Sequence, residues 1–208
     1  MIAKIITGTT GAILVFCLML SAHADPLIMA PTATTLTTGQ VRAEAAMRTN
    51  DSQDRFFRLG AGLQQFELNV TRVEKPQLKT DNIVGLQWSF LPETSFSPAV
   101  AFGVSDAASQ SDDGIGVYGV VTKDLPIGKS SSILKECSLT FGLGLFGIRG
   151  PLGGFEAKLH NRIFFQGEYD SRRFNGAIGW QPVKQFRLKA YTIDKDYYFG
   201  AEVLPLYF

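Results

Sequence analysis

The stretch that decides the fold is residues 161–208, NRIFFQGEYDSRRFNGAIGWQPVKQFRLKAYTIDKDYYFGAEVLPLYF. Apolar and polar side chains alternate along it, with Ile163 and Phe165 on one face and Gln166 and Glu168 on the other, which is the period of a β-strand. Short polar segments divide the stretch into four such units. It therefore predicts four strands joined by turns, although a soluble sheet would alternate in the same way.

The beginning of the chain predicts export. Residues 1–24 combine Lys4, an apolar run over 12–20 and an Ala-x-Ala motif at 22–24, which is the pattern of a cleaved signal peptide. The apolar run is too short to span a bilayer. After cleavage Cys137 is the only cysteine, so we expect one exported domain without an internal disulfide.

Composition and periodicity predict an all-β chain. No segment after the leader shows a helical period over ten or more residues, and the 16 Phe and 21 Gly suit strands and turns. An exported all-β chain without disulfides is typical of the Gram-negative outer membrane, where only a closed barrel satisfies its backbone groups in lipid. We expect 25–39 to be an N-terminal lead segment and 40–208 to be the barrel. The net charge of +1 argues against a nucleic-acid partner.

The rest of the chain adds eight alternating segments to the four at the end. The total of twelve returns both chain ends to the periplasmic side, and ten strands is the alternative if the pattern near 123–136 is misleading. The additional strands are expected at about 40–48, 55–62, 66–71, 82–90, 96–104, 114–122, 136–147 and 153–159.

The terminal Phe208 is a further barrel signal, since the last strand of outer-membrane barrels ends in an aromatic residue preceded by alternating apolar ones. Leu204 and Leu206 fit this pattern, whereas Glu202 does not. Pro205 lacks a backbone donor and is expected at an edge or a bulge. A bulge there would return Glu202 to the lumen.

The run 153–190 also resembles the barrel repeats of YjbH-type outer-membrane proteins, which are associated with exopolysaccharide production. The resemblance covers roughly the last quarter to third of the chain. It implies an outer-membrane barrel linked to exopolysaccharide production or export. The features that carry it are a Gly-Gly-aromatic-Glu opening at 153–156, Gly-Glu-Tyr-Asp at 167–170, Arg-Phe-Asn-Gly at 173–176 and Trp-Gln-Pro at 180–182.

Residues for catalysis or metal binding are sparse, so we expect no enzyme activity, no cofactor and no metal site. His160 and Cys137 do not supply the several convergent ligands that a metal needs. Asp112-Asp113-Gly114 lacks the later positions of a calcium loop. No Gly-x-Ser-x-Gly motif occurs.

The charged residues of the strands are predicted on the inner face, where they form a charged wall on the side of strands 1 and 12. Two interpretations stay open: paired charges that brace and plug the interior, or the wall of a wet, porin-like channel for polar solutes or an extended glycan. The predicted wall residues are Arg42, Glu44, Arg48, Arg58, Glu67, Glu156, Lys158, Arg162, Glu168, Arg187, Lys189 and Glu202.

Aromatic residues near strand ends are predicted on the outer face, where girdles mark the membrane interfaces of such barrels. Ordinary strand propensity is the alternative explanation. The predicted interface aromatics are Trp88, Phe90, Trp180, Tyr191, Tyr197 and Tyr198.

Together these patterns predict a small outer-membrane β-barrel with a passive envelope or transport role. Expected partners are outer-membrane lipid, the barrel-assembly machinery, and polysaccharide or small polar solutes. One alternative is a plugged structural or adhesive surface barrel whose loops at 49–54, 74–81 and 105–114 contact partners. The other is a soluble periplasmic β-sandwich or lipocalin-like binding protein.

Overall fold

Twelve β-strands and no helix make up the part of the chain that the structure, a computed structural model, describes. The described residues are 27–76, 80–127 and 133–207. Each strand pairs antiparallel with its sequence neighbours, and the last pairs with the first, so the sheet closes. The predicted closed twelve-stranded barrel is confirmed, and an open β-sandwich is excluded. The strands are β1 (Gln40–Arg48), β2 (Asp51–Leu63), β3 (Phe66–Glu74), β4 (Asp81–Leu91), β5 (Ala99–Ser105), β6 (Gly116–Leu125), β7 (Leu134–Phe146), β8 (Gly150–Leu159), β9 (Ile163–Tyr169), β10 (Phe174–Val183), β11 (Phe186–Ile193) and β12 (Asp196–Tyr207).

Several strand boundaries differ from the sequence expectation, among them the starts of β5 at Ala99 and of β8 at Gly150. Residues 51–54 are not loop, because β2 begins at Asp51 and a register shift next to the Arg48–Asp51 pair lets the ladder with β1 continue. The connection expected at 123–136 is shorter, since β6 runs to Leu125 and β7 begins at Leu134. The predicted leader and Phe208 lie outside the described residues.

The closing seam contains the bulge that the sequence suggested. Between the pairs Val41–Leu206 and Ala43–Val203, β12 has one residue more than β1, so the extra residue falls at 204–205. A proline is tolerated at such a position because its missing donor is not needed by the ladder. The phase shift brings Glu202 to the lumen, where it is 1% exposed.

The outer face of the barrel is a continuous apolar surface. Large hydrophobic side chains on all sides of the barrel are about half exposed, which is unusual for a soluble monomer. Examples are Leu59, Leu68, Leu86, Phe102, Phe141, Leu143, Ile178, Leu188 and Phe199.

The interior is occupied by the start of the described chain, residues 27–37, which we call the plug segment. Ile28 and Leu36 are completely buried, and Ala33 is 1% exposed. Ile28 packs in one apolar cluster with Phe56 and Tyr191 of the wall. The lead segment expected before β1 therefore lies inside the lumen.

The two ends of the barrel are called the terminal end and the distal end. At the terminal end β1 begins and β12 ends, and the turns at 64–65, 160–162 and 184–185 lie there. At the distal end lie the connections after the odd-numbered strands, including 106–115 and 170–173. No helix in the described ranges is long and apolar enough to cross a membrane.

Candidate functional site: a plugged lumen with a charged wall

Most of the predicted wall residues are buried together inside the barrel. Alternation along each strand brings them to the inner face, and closure of the sheet brings β11, β12, β1 and β2 side by side. The fully buried members are Glu44, Glu67, Glu156, Glu168, Arg187, Lys189 and Glu202, all 4% exposed or less.

The centre of the wall is an ion-pair network across the closing seam. Lys189 Nζ lies 2.9 Å from Glu44 Oε1 and 2.8 Å from Glu202 Oε2. Arg187 lies opposite Glu202 in the β11–β12 register, and its Nη2 is 3.1 Å from Glu156 Oε1. Buried charges are tolerated when they are paired in this way. The network therefore braces β8, β11, β12 and β1 against one another.

The arginines of β1 and β2 extend the wall toward the plug segment. Arg58 Nη1 is 3.0 Å from Glu44 Oε2, and Arg58 Nη2 donates to the carbonyl oxygen of Ile28 at 2.9 Å. Arg42 pairs with Glu67. These arginines satisfy wall carboxylates, and Arg58 also holds the backbone of the plug segment.

Carboxylates of the wall accept hydrogen bonds from the plug backbone. Glu168 accepts from the amides of Met29 at 2.7 Å and Ala30 at 3.0 Å. Glu67 accepts from the Leu36 amide at 2.7 Å. An extended segment cannot satisfy its own backbone groups, so the wall side chains do this instead. The charged residues thus serve as the partners of a peptide as well as of one another.

The opposite wall contributes neutral anchors that the sequence did not reveal. Thr122 accepts from the Ala33 amide at 2.8 Å, and Gln87 donates to the Thr32 carbonyl at 2.8 Å. The sequence indicates only that Gln87 and Thr122 face inward from β4 and β6. It does not indicate that they bind the plug segment, because a neutral polar side chain on an inner face can have many partners.

Space remains on either side of the plug segment. A cavity of about 590 Å³ opens at the terminal end, with Thr35, Gln64, Glu93 and Lys158 in its lining. A second cavity of about 170 Å³ lies between the plug segment and β1 to β6. The plug therefore narrows the lumen without filling all of it.

Three of the predicted wall residues lie apart from the buried cluster. Arg162 is exposed in the turn before β9, where its Nη1 donates to the carbonyl of Pro182, because β9 begins only at residue 163. Arg48 is at the distal rim and pairs with Asp196. Lys158 is at the terminal rim, between Glu136 and Glu156.

Two of the six predicted interface aromatics lie inside the barrel. Tyr191 is 2% exposed and donates to Glu44, and Tyr198 donates to Asp54 at 3.1 Å. The reason is strand parity: Tyr191 shares the face of Arg187, and Tyr198 pairs with Tyr191. The four that lie on the outer face are Trp88, Phe90, Trp180 and Tyr197.

A distal loop at 106–115 is organised by Asp106. Its carboxylate accepts from the Gln110 amide at 2.9 Å and from both the amide and the hydroxyl of Ser111, at 2.7 and 2.6 Å. Burial alone would raise the pKa of Asp106, but these hydrogen bonds outweigh it and leave the pKa below its ordinary value of 3.8.

No group of three or more His, Cys, Asp and Glu side chains within the described ranges is arranged to hold a metal ion. No protein-family model matches the chain, and no curated protein is similar to it in sequence.

Proposed function

We propose that the chain is an outer-membrane β-barrel with a structural envelope role, closed in its resting state by its own plug segment. The observation that carries the proposal is the combination of an apolar outer face with a lumen crossed by residues 27–37. A closed sheet satisfies its backbone in lipid, and the apolar face suits hydrocarbon. A diffusion pore needs a continuous column of water through the lumen, and the plug segment lies in that space.

The plugged form of the barrel is favoured over an open pore by how the plug is held. Its backbone is bonded by side chains from both sides of the lumen, among them Glu168, Arg58 and Thr122. Hydrogen bonds to charged groups contribute about 1.5–3 kcal/mol each, so several together hold a short segment firmly.

Conductance of the refolded mature chain in a planar bilayer tests the proposal. Insertion is first established by the heat-dependent gel shift of a folded barrel. An inserted barrel without ion current is the expected result. Steady openings of the unaltered chain would contradict the plugged reading.

A second candidate function is gated passage of polar material. The observation that favours it is the charged wall that faces the plug segment, together with the cavity of about 590 Å³ at the terminal end. A variant lacking residues 27–36 should then conduct steadily. A milder variant, Glu67→Gln with Glu168→Gln, should open intermittently if it keeps the gel shift. Silence of both variants, once inserted, would leave only the structural role.

A link to exopolysaccharide production or export stays a prediction from the resemblance at 153–190. The terminal end of the lumen holds a cavity of about 590 Å³, and residues 33–37 of the plug segment line it. Binding of a purified exopolysaccharide to the variant lacking 27–36, compared with the unaltered chain, would test this role.

A further inference from the structure

A groove of about 430 Å³ runs along the outer face of the barrel between β9 and β12. The register explains its shape. Ala190 lies between Ile178 of β10 and Phe199 of β12, so a small side chain is flanked by two large ones. The neighbouring lining from Trp180 and Leu188 is also apolar. The groove is therefore a hydrophobic trough on the surface that we propose faces lipid.

The groove ends at a basic sector of the terminal rim. Arg162 precedes the groove residue Ile163, and Lys184 lies in the turn that joins β10 to β11. The two turns touch, because Arg162 donates to the Pro182 carbonyl and the Gln181 amide donates to the carbonyl of Arg162. Both basic side chains are exposed.

Acidic residues are missing from this sector of the sequence. The segments 159–163, 180–186 and 203–207 contain neither Asp nor Glu, whereas Lys123 and Lys158 elsewhere at this end pair with glutamates. Within the described ranges, neither Arg162 nor Lys184 has a carboxylate at ion-pair distance. The positive charge of this sector is thus left to attract an anion from outside the barrel.

We propose that this groove binds one anionic phospholipid, with an acyl chain against Ala190 and the phosphate against Arg162 and Lys184. Trp180 lies near the terminal end of β10. In the proposed membrane location its indole ring is at the level of the headgroups, where tryptophan is enriched. A basic pair beside an apolar trough selects an anionic headgroup, since each such residue favours anionic lipid. The inference rests on the proposed membrane location.

Native mass spectrometry of the refolded mature chain in a non-ionic detergent tests the site. Phosphatidylglycerol and phosphatidylcholine with identical chains are the probes. One phosphatidylglycerol should remain bound, roughly ten- to thirtyfold more tightly than phosphatidylcholine. Equal retention of the two lipids would overturn the proposal.

Variants separate the groove from the headgroup site. Ala190→Leu fills the trough and should abolish retention of both lipids, while Ala61→Leu, on the outer face of β2, should not. Arg162→Gln with Lys184→Gln should remove only the preference for phosphatidylglycerol, while Lys135→Gln at the same end should keep it. Unchanged binding in Ala190→Leu, or a dimer that this substitution dissociates, would overturn the lipid site.

The same preparations separate failure of this site from failure of the proposed function. The gel shift and co-flotation with vesicles report insertion without any specific lipid. A chain that inserts but shows no lipid preference refutes the site alone. A chain that does not insert refutes the membrane location and the site together.

Discussion

Glu168 is a buried carboxylate whose hydrogen-bond donors come mainly from the plug segment. It accepts from the Met29 and Ala30 amides and from the side-chain amide of Asn175. Its charge therefore matters less to the barrel wall than to the peptide inside the lumen. The same side chain was recognisable in the sequence as inward-facing, but its partner was not, because the plug segment has no pattern that indicates burial.

Substituting Glu168→Gln should loosen the plug segment. Glutamine keeps one acceptor oxygen but carries no charge. The hydrogen bonds to the charged carboxylate, which contribute about 1.5–3 kcal/mol each, are therefore replaced by weaker neutral ones. Hydrogen exchange of a peptide covering 27–37, read by mass spectrometry, should accelerate about tenfold to a hundredfold. Glu136→Gln, an exposed glutamate at the terminal rim, is the control. Equal exchange in Glu168→Gln and the unaltered chain would refute the role of Glu168 as an anchor.

Asp106 should give the distal loop a pH dependence in the acid range. Its folded-state pKa lies below the ordinary 3.8, so its stabilisation of the loop is complete above that value and is lost as pH falls through the lowered pKa. The Ser111 amide resonance, followed by NMR, should titrate at that lowered pKa.

The Asp106→Asn variant tests the same loop without a titrating group. The acid step of Ser111 should disappear, and the loop should lose roughly 1–2 kcal/mol of local stability because a charged acceptor becomes neutral. Asp112→Asn neutralises an exposed carboxylate of the same loop and should leave the step intact. A step that survives in Asp106→Asn would assign the titration to another residue.

At the scale of the elements, alternation made most strands predictable. Each predicted strand core has its counterpart, and the bulge followed from a proline that interrupts the alternation before the end of β12. The beginning of β2 was missed because its first four residues, 51–54, are polar and resemble a loop. The ladder with β1 overrides that local composition, as tertiary pairing often does for strands.

The burial of the plug segment could not be predicted from the sequence. Its four threonines and Pro31 are typical of an exposed tail. Burial becomes apparent only when the barrel offers side-chain partners to its backbone, such as Glu67 to the Leu36 amide. Those partners come from distant strands, and no local pattern encodes them.

The seam between β11, β12 and β1 should depend on Lys189. Substituting Lys189→Met removes one partner of both Glu44 and Glu202, which keep only Arg58 and Arg187, and so leaves the buried network short of one positive charge, which costs about 3–5 kcal/mol. Urea unfolding of the inserted barrel, followed by the gel shift, measures the loss. Lys135→Met, at an exposed position, should change stability by less than about 0.5 kcal/mol. A similar small effect of Lys189→Met would mean that the network does not hold the seam.

For the whole molecule, closure and strand number were predictable because the count was even and both ends of the alternating region were strands. Placing individual side chains was harder. Tyr191 was expected on the outside from its aromatic character, although its parity with Lys189 indicates the inside. Polar and aromatic preferences conflict at such positions, and the phase of the strand decides between them.

The environment of the whole barrel is tested by placing a charge on its outer face. Phe141 lies near the middle of β7 and Leu145 near its distal end, and both side chains are exposed on the outer face, 65% and 63%. In lipid, Phe141→Arg should destabilise the barrel by about 2–4 kcal/mol and Leu145→Arg by only about 0–1 kcal/mol, because the cost of a charge falls toward the interface. Urea titration of the barrel in lipid vesicles measures both. In water the two exposed positions would behave alike, so an equal effect of the two substitutions would contradict the membrane location, and a difference that follows depth would support it.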